Sequence, residues 1–387
     1  MSDPSPTTRE EKARTPIRVA QVVFSLEPGG MENGVVNLAN ELPREEVETR
    51  VWCLERAGAF AGRLSEGVRV EALGRKPGWD WEACWRLGRG LRRERPDVIH
   101  THNLGPLIYA VVARFMVPSL WRVPILHGEH GALQGDGLRG KRLRQRRWLY
   151  RCCRRVHTVS EGLRRHLMAL GMPEAGLVSV LNGVDCERFQ PVTDKGEARV
   201  RVGLPRDAEV IGSVGRFIAT KRFPLLVEAF ERLAEKRPKL VLMILGDGGE
   251  AREEVLQRVA SSGVRDRIYL KGHQSEPAPF YQAMDLMVMP SSHEGLANAL
   301  LEAMASGVPV VAHSACGAVE VVESGRSGFL YEICDAEQLA RWIELLWAEP
   351  GKLTEAGQWA RESARTRFSL EVMVVGYLRL YRECAGV

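Results

Sequence analysis

Long apolar runs, CxxC motifs and an apolar leader are all absent from this 387-residue sequence. No apolar run reaches the roughly 18 residues that a membrane-spanning helix needs. The polar first 16 residues lack the apolar core of a secretory signal, and we expect residues 1–16 to form a disordered leader. The eight cysteines show no CxxC spacing, which argues against a disulfide framework and a zinc site. These absences favour a protein of the reducing cytoplasm.

Two binding signatures are also missing. The sequence contains no Asp-x-Asp pair of the kind that holds a metal-bound diphosphate, so we expect no metal site. No recognisable nucleic-acid module accompanies the basic residues, so we expect no nucleic-acid partner. What is present is ordinary for a soluble globular protein: 45% hydrophobic and 27% charged residues. The length exceeds what one core usually organises and predicts two domains.

Positive charge is concentrated in the first half of the chain. Residues 1–190 carry 30 Lys/Arg and 22 Asp/Glu, a balance of +8, whereas the remainder carries a balance of −3. The excess is densest in Arg139–Arg155, which contains nine Lys/Arg interleaved with Trp148 and Tyr150. One interpretation is a solvated helix face. The other is a surface that attracts anionic lipid or a pyrophosphate-linked acceptor, with both aromatics at headgroup level and the protein peripheral on the inner face of the cytoplasmic membrane.

Short apolar runs alternate with helical patterns, which indicates parallel α/β architecture. The first set of predicted strands comprises residues 17–26, 47–54, 68–73, 97–102, 123–130, 155–160 and 177–184. The second set comprises residues 209–217, 239–248, 266–273, 285–292 and 308–315. Each set is long enough for its own doubly wound sheet, with ligands expected at the carboxyl ends of the strands. The predicted domains are residues 17–188 and 189–369, with a last helix at about 370–387 packing back on the first domain.

The most specific stretch is HEGLANALLEAMASGVPVV, residues 293–311, in which Glu294 and Glu302 stand eight positions apart. A loop that enters a helix presents free N–H groups to phosphates. Within the helix, Glu302 would accept hydrogen bonds from ribose hydroxyls, whereas Glu294 would face a sugar. The alternative is that Glu294 caps the helix and Glu302 is a surface charge.

A second stretch, GSVGRFIATKRFPLLVEAF, covers residues 212–230. A predicted strand ends in glycine, and Arg216 and Lys221 follow it before a predicted helix. Two cations beside a helix start suit a departing nucleoside diphosphate, whose charge grows as the glycosidic bond breaks. The alternative is that both are loop cations in water.

Together these two stretches resemble the donor domain of retaining GT-B glycosyltransferases of the family-four group (glycosyl transferases group 1). LNGVDCERF (181–189) resembles the junction signature of that group, and PGGMENGVVNLANEL (28–42) resembles its acceptor-domain glycine loop. Residues 245–255 and 270–296 match its middle segments. The segment DVIHTHNLGPLIYA with the later HGEHG resembles enzymes of exopolysaccharide assembly. The resemblance covers nearly the whole chain from residue 17 and implies two Rossmann-like domains with an interdomain cleft.

The resemblance implies charged residues on the donor side of that cleft. Arg216 and Lys221 would stabilise the leaving diphosphate, Glu302 would hold the ribose, and Glu294 would hold hydroxyls of the donor sugar. Backbone groups that contact sugar and phosphates would come from Gly295, Leu296 and Ala297. The group usually has an aromatic residue or proline where this chain has Ala297, which leaves the sugar open.

The resemblance also implies contacts from the first domain. Gly29 and Gly30 would let their loop approach the phosphates or the acceptor closely. His127, at the end of a predicted strand, would contact the transferred sugar and is favoured over His130 and His102. A lone histidine at a strand end is, however, more often structural.

The implied reaction is transfer of a sugar with retention, in which the leaving phosphate helps to deprotonate the acceptor. It needs no metal, because Arg216, Lys221 and helix N-termini supply the positive field. The co-substrate is a nucleotide sugar, with UDP expected only because UDP donors are common, and the acceptor is a glycan or a lipid-linked sugar. Two alternatives remain open here: a sugar-nucleotide 2-epimerase, and a non-catalytic nucleotide-sugar-binding subunit.

Overall fold

The computed structural model describes residues 15–133, 135–292, 296–314, 317–332, 335–349 and 351–387, and its strands form two parallel sheets. The first sheet contains β1 (Ile17–Val23), β2 (Val47–Cys53), β3 (Arg69–Ala72), β4 (Val98–His102), β5 (Ile125–Glu129), β6 (Arg155–Thr158) and β7 (Leu177–Ser179). The second contains β8 (Glu209–Val214), β9 (Leu240–Leu245), β10 (Ile268–Leu270), β11 (Leu286–Met289), β12 (Val310–His313) and β13 (Gly328–Tyr331). The two-sheet α/β architecture predicted from the sequence is confirmed.

The two sheets share one strand order over six strands, and the first sheet has a seventh strand at its edge. The first runs β3-β2-β1-β4-β5-β6-β7 and the second β10-β9-β8-β11-β12-β13, with every pair parallel. Each order reverses between its first strand and its fourth, as in dinucleotide-binding domains. The crevices that bind ligands in such folds therefore lie at the carboxyl ends of β1 and β4 and of β8 and β11.

Helices cover both faces of each sheet. They are α1 (Gly30–Glu41), α2 (Trp81–Glu94), α3 (Leu104–Met116), α4 (Gly140–Tyr150), α5 (Glu161–Ala169), α6 (Lys195–Arg201), α7 (Phe223–Ala234), α8 (Arg252–Ala260), α9 (Ala278–Ala283), α10 (Asn298–Ala305), α11 (Ala318–Val321), α12 (Ala336–Ala348), α13 (Lys352–Arg367) and α14 (Leu370–Ala385). Because both sheet faces are covered, central strands such as β9 (LVLMIL) are buried along their whole length. Within the described residues, no helix has the length and apolar character needed to cross a bilayer.

The last helix belongs spatially to the first sheet. α14 packs against α1 and β1, and its buried Met373, Tyr377 and Tyr381 share a core with Val19 and Val98. Ser369 caps its N-terminus, and Val184 pairs with Ser369 where the chain crosses back. The crossing ties the C-terminus of the chain to the first half.

One element differs from the sequence-based expectation in a way that affects the cleft. Gly29 and Gly30 were expected to lie in a loop, but α1 already begins at Gly30. Glycine has a low helix propensity, which is why the pattern placed this start too late. The first turn of α1, rather than a loop, therefore stands at the cleft.

Candidate active site

The donor-side cations lie where β8 ends. Arg216 follows the strand, and Lys221 closes a 3-10 turn at Ala219–Lys221 directly before α7. The side chain of Lys221 runs along the strand end, since a methyl group on Gly215 would come within 2.9 Å of its Cε atom. Arg222, with φ of 52°, turns the chain into α7. Both cations therefore stand at the crevice of the second sheet.

The first turn of α1 lies within the electrostatic influence of Arg216. Gly29 is the N-cap residue, and a Cβ atom there would lie only 2.2 Å from a carboxylate oxygen of Glu32. Burial raises the pKa of Glu32, and the charge of Arg216 partly opposes that rise. The charge of Arg216 in the second half therefore acts on Glu32 in the first turn of α1.

A hydrogen-bonded bridge closes the cleft beside this pair. The Nδ2 atom of Asn298, the first residue of α10, donates to the carbonyl oxygen of Gly30 at 3.0 Å. Its Oδ1 atom accepts from Nδ2 of Asn182 at 2.9 Å, and Asn182 also donates to the carbonyl of Leu296 at 3.2 Å. Neither asparagine was singled out from the sequence. Their signal was a polar residue beginning an otherwise apolar helix and another inside the junction segment.

Glu302 lies on the same face of α10, four positions after Asn298. Tyr281, which is fully buried, donates its hydroxyl to the Oε2 atom at 2.8 Å. Burial raises the pKa of Glu302, while that hydrogen bond and the charges of Arg188 and Arg63 oppose the rise. A carboxylate has four acceptor positions, so one donor leaves capacity for ligand hydroxyls.

A polar cavity of about 140 Å³ lies beside Asn298 and Glu302. Residues of both halves line it, among them Asn33, Asn37, Arg63, Arg188, Asn298 and Glu302. Asn33 and Asn37 come from α1, whereas Asn298 and the carboxylate of Glu302 come from α10. The cavity is therefore a space between the two sheets that only the folded chain creates.

His127 does not reach this cleft. It is fully buried in β5, where its Nδ1 atom meets Thr101 at 2.9 Å and its Nε2 atom lies 3.4 Å from Glu129. Side chains of a strand alternate between faces, and position 127 faces the side where α4 packs, with Tyr150 against its ring. The expected contact between His127 and the transferred sugar is thus not supported by its position.

Glu129 anchors the basic helix α4 from inside. The carboxylate accepts from Arg146 at 3.0 Å and from the hydroxyl of Tyr150 at 2.7 Å. Burial alone would raise the pKa of Glu129, but His127, Arg146 and Tyr150 together lower it to about 2. One of the two interpretations of the basic segment placed Arg146 and Tyr150 at a membrane-facing surface, and the structure shows both to be buried instead.

His130, rather than His127, stands at the end of its strand. It is the first residue after β5, is half-buried, and contacts the Nδ1 atom of His102 through Nε2 at 3.0 Å. Burial lowers the pKa of His130 to about 4. The sequence signal was its place just beyond the last buried strand residue, where the chain reaches the sheet edge.

The structure describes only some of the other residues that were predicted to contact the donor. Glu294 and Gly295 lie outside the described residues. Leu296 is buried, and Ala297 is the N-cap residue of α10. Within the described residues, no cluster of three or more His, Cys, Asp or Glu side chains is arranged to hold a metal ion.

Comparison with known proteins covers both halves. Residues 28–188 match the model of Glycosyltransferase Family 4, and residues 194–363 match that of Glycosyl transferases group 1. The chain is 37% identical to the lipopolysaccharide core biosynthesis glycosyltransferase LpsE of Rhizobium meliloti over 47% of its own length, and spans about half (52%) of that relative. It is 29% identical to D-inositol 3-phosphate glycosyltransferase 2 of Catenulispora acidiphila, over 92% of this chain and 94% of that one.

Solved structures share the fold. The structure of Anabaena HepE in complex with UDP-glucose superposes with a TM-score of 0.84 at 23% identity, over 95% of this chain and 100% of that one. At this identity the likeness establishes architecture. It agrees with the shared strand order of the two sheets described above.

Proposed function

This chain belongs to the glycosyltransferases of family 4 and group 1, and on that premise we propose that it moves a sugar from a nucleoside diphosphate sugar to a glycan or lipid-linked acceptor with retention of anomeric configuration. The observation that carries the proposal is the meeting of two crevices. The first turn of α1 is hydrogen-bonded through Gly30 to Asn298 at the start of α10, and Glu302 lies in the cavity that both halves line. Such a cleft suits a ligand with an anionic middle and hydroxyls at both ends.

On the donor side, each charged residue would meet the ligand group that suits its charge. Arg216, Lys221 and the N-terminus of α10 face the diphosphate, while Glu302 accepts hydrogen bonds from the ribose. Tyr281 orients the Glu302 carboxylate and itself stays buried. Glu294 remains the proposed partner of the donor-sugar hydroxyls.

The reaction breaks the bond between the anomeric carbon and the diphosphate oxygen, which leaves with the bonding electrons. An acceptor hydroxyl attacks the same face of the sugar, and its proton passes to the departing phosphate oxygen. Arg216 and Lys221 are more strongly engaged as negative charge grows on that oxygen, so they stabilise the transition state more than the ground state. His130, at the edge of the first sheet, would contact the transferred sugar.

The experiment that tests this proposal is incubation of the chain with nucleotide sugars, with and without acceptor. A lipid-linked sugar, a lipopolysaccharide-core oligosaccharide and D-inositol 3-phosphate serve as acceptors, because the relatives differ in this respect. We expect acceptor-dependent release of nucleoside diphosphate and a product with the anomeric configuration of the donor. Epimerised sugar without acceptor would indicate an epimerase, an inverted product would overturn retention, and binding without turnover would indicate a non-catalytic subunit.

Chelation tests the proposed absence of a metal requirement. Because Arg216 and Lys221 already stand at the diphosphate position, we expect transfer to continue in EDTA. Activity that stops in EDTA and returns with magnesium or manganese would contradict this mechanism.

We further propose that α4 brings the enzyme to the inner face of an anionic membrane. Lys141, Arg142 and Arg144 are exposed, and Trp148 is 54% exposed beside them. Each cation near such a surface contributes about 1 kcal/mol, so a few give reversible binding. The ion pair between Arg146 and Glu129 fixes the inner face of the helix and leaves these side chains outward.

Vesicle co-sedimentation tests this surface. Binding to anionic but not neutral vesicles is expected, and it should weaken with salt and with charge reversal at Arg142 and Arg144. Charge reversal at Arg232, an exposed cation on α7 of the second half, is the matched control. Failure to bind either kind of vesicle would contradict this proposal and indicate a transferase that acts on a free acceptor.

A further inference from the structure

Two short rows of hydrogen-bonded side chains lie under the carboxyl edge of the first sheet. In the row that we call the Gln21 relay, Oε1 of Gln21 meets Nε2 of His102 at 3.2 Å, and Nδ1 of His102 meets Nε2 of His130 at 3.0 Å. The second row, the Tyr381 relay, joins the hydroxyl of Tyr381 to His100 at 2.9 Å and His100 to His157 at 2.8 Å. Only the Gln21 relay includes His130.

Strand geometry explains why the rings meet. Gln21 in β1 and His102 in β4 lie on neighbouring strands, on the face that α14 covers, at the point where the strand order reverses. Both side chains are buried, and His130 extends the row beyond the end of β5. The Gln21 relay therefore runs from the sheet interior to the edge where the cleft opens.

The rings in this relay are neutral near neutral pH. Burial, followed by repulsion from neighbouring histidines, lowers the pKa of His102 well below its usual range, and burial lowers that of His130 to about 4. A neutral imidazole carries one N–H donor and one acceptor nitrogen. Each hydrogen bond in the row consequently fixes the direction of the next.

The carboxamide oxygen of Gln21 sets that direction. It accepts from Nε2 of His102, which leaves Nδ1 of His102 as an acceptor, and Nδ1 in turn accepts from Nε2–H of His130. The Nδ1 atom of His130 then carries a lone pair, and the described residues offer it no hydrogen-bond partner. If the carboxamide of Gln21 were flipped, its NH₂ group would face His102, and every donor and acceptor in the row would exchange roles. The Nδ1 atom of His130 would then carry an N–H group instead of a lone pair.

We propose that Gln21 and His102 are positioning residues that hold His130 in its Nε2–H tautomer, so that its Nδ1 atom meets a sugar hydroxyl as a hydrogen-bond acceptor. The contact with substrate rests on the proposed function, whereas the tautomer is a property of the ligand-free chain. A histidine held in the wrong tautomer loses orders of magnitude in rate in enzymes that depend on it. Gln21 would thus act on the reaction without touching the substrate.

Tautomers are measured directly by long-range proton–nitrogen NMR of the full chain labelled with nitrogen-15 histidine, at about pH 8 where unperturbed histidine is neutral. The variant H130Q assigns the His130 signals. We expect the Nε2–H form in the unaltered chain, the same form in Q21E, which keeps an accepting oxygen, and a mixture in Q21M. Y381F is the matched control, because it removes the end of the Tyr381 relay and should leave the tautomer of His130 unchanged.

Kinetics then connect the tautomer to transfer. We expect Q21M to lower kcat on the order of tenfold or more, with little change in the KM for the donor, and Q21E to recover most of the loss. The acidic limb of the Q21E pH profile should also move to higher pH, since a carboxylate raises the pKa of the neighbouring His102.

Two results would overturn the proposal: a dominant Nδ1–H form of His130 in the unaltered chain, or an unchanged tautomer in a folded Q21M. If Q21M does not fold, the spectrum of the unaltered chain still decides. A chain with the expected tautomers but no transferase activity would contradict the proposed function alone.

Discussion

The carboxyl edges of the two sheets are built from the same strand order but from opposite chemistry. The first presents neutral, mutually hydrogen-bonded side chains, such as His102 and His130. The second presents charges: Arg216 and Lys221 after β8 and Glu302 in α10. A fold of this kind fixes where a ligand lies, while the side chains at each edge decide which part of the ligand suits it.

The difference follows from what each edge would meet. Growing charge on a departing diphosphate is stabilised by fixed cations, whereas hydroxyls of a sugar or an acceptor need hydrogen bonds without a strong field. Burial disfavours the charged form on both edges, with different consequences. It keeps the histidines neutral, but on the donor side it raises the pKa of Glu302 against the opposing Arg63 and Arg188.

The largest expected effect concerns Glu129, a buried charge at the end of β5 in the otherwise neutral first sheet edge. E129A should lower the free energy of unfolding by about 3–5 kcal/mol, because it leaves Arg146 buried without its partner. Urea denaturation measures the loss. Replacing both residues, as E129L with R146M, should restore much of it, and a double variant as unstable as E129A would show that the ion pair is not the cause.

The charged edge is tested by K221A. Removing one fixed donor from a developing oxyanion typically lowers kcat by about 10²–10³, and we expect a loss of that size with the fold intact. R232A, which removes an exposed cation of α7, is the matched control and should keep full activity. Near-normal turnover of K221A with its true donor would remove Lys221 from the site.

Acidification should weaken the neutral edge in particular. Unfolded histidines bind protons near pH 6.5, whereas His100, His102 and His157 in the fold have pKa values well below that and His130 has one of about 4. The unfolded chain therefore binds more protons as pH falls below about 6.5, and stability decreases by at most about 1.4 kcal/mol per histidine for each pH unit.

Urea denaturation between about pH 7.5 and about pH 5 measures this slope, and NMR of the histidine rings identifies which half responds. A stability that stays constant across this range would mean that the rings are not held neutral. A loss of stability that begins in the second half would contradict the contrast between the two edges.

The smallest effect concerns the bridge that joins the edges. N298A removes the hydrogen bonds to Gly30 and Asn182, each of which contributes about 0.5–1.5 kcal/mol net. We expect a modest rise in the KM for the donor and a slightly larger radius of gyration by X-ray scattering. N298D, which keeps an oxygen for Asn182 but loses the donor to Gly30, should fall between, and an N298A chain unchanged in both measurements would show that the bridge does not hold the cleft.

Sequence patterns were reliable where one local rule acts alone. Apolar runs separated by helical patterns predicted the two sheets, because a central parallel strand covered on both faces must be apolar throughout. The same rules place β8 before Arg216 and a helix at Asn298. They failed at Gly30, where α1 begins although glycine has a low helix propensity, and where Asn298 of the second half donates to the Gly30 carbonyl.

What the sequence by itself determined is the order of elements and the identity of the charged residues that follow β8 and lie within α10. Only the tertiary structure decided which polar side chains reach the cleft. His127 and His130 are three positions apart. Alternation along β5 directs the side chain of His127 toward Tyr150, whereas His130 follows the last residue of the strand and lies at the edge of the sheet. The bridge through Asn298 and the relay through Gln21 join residues far apart in the chain, and no local pattern records contacts that depend on how distant strands and helices meet.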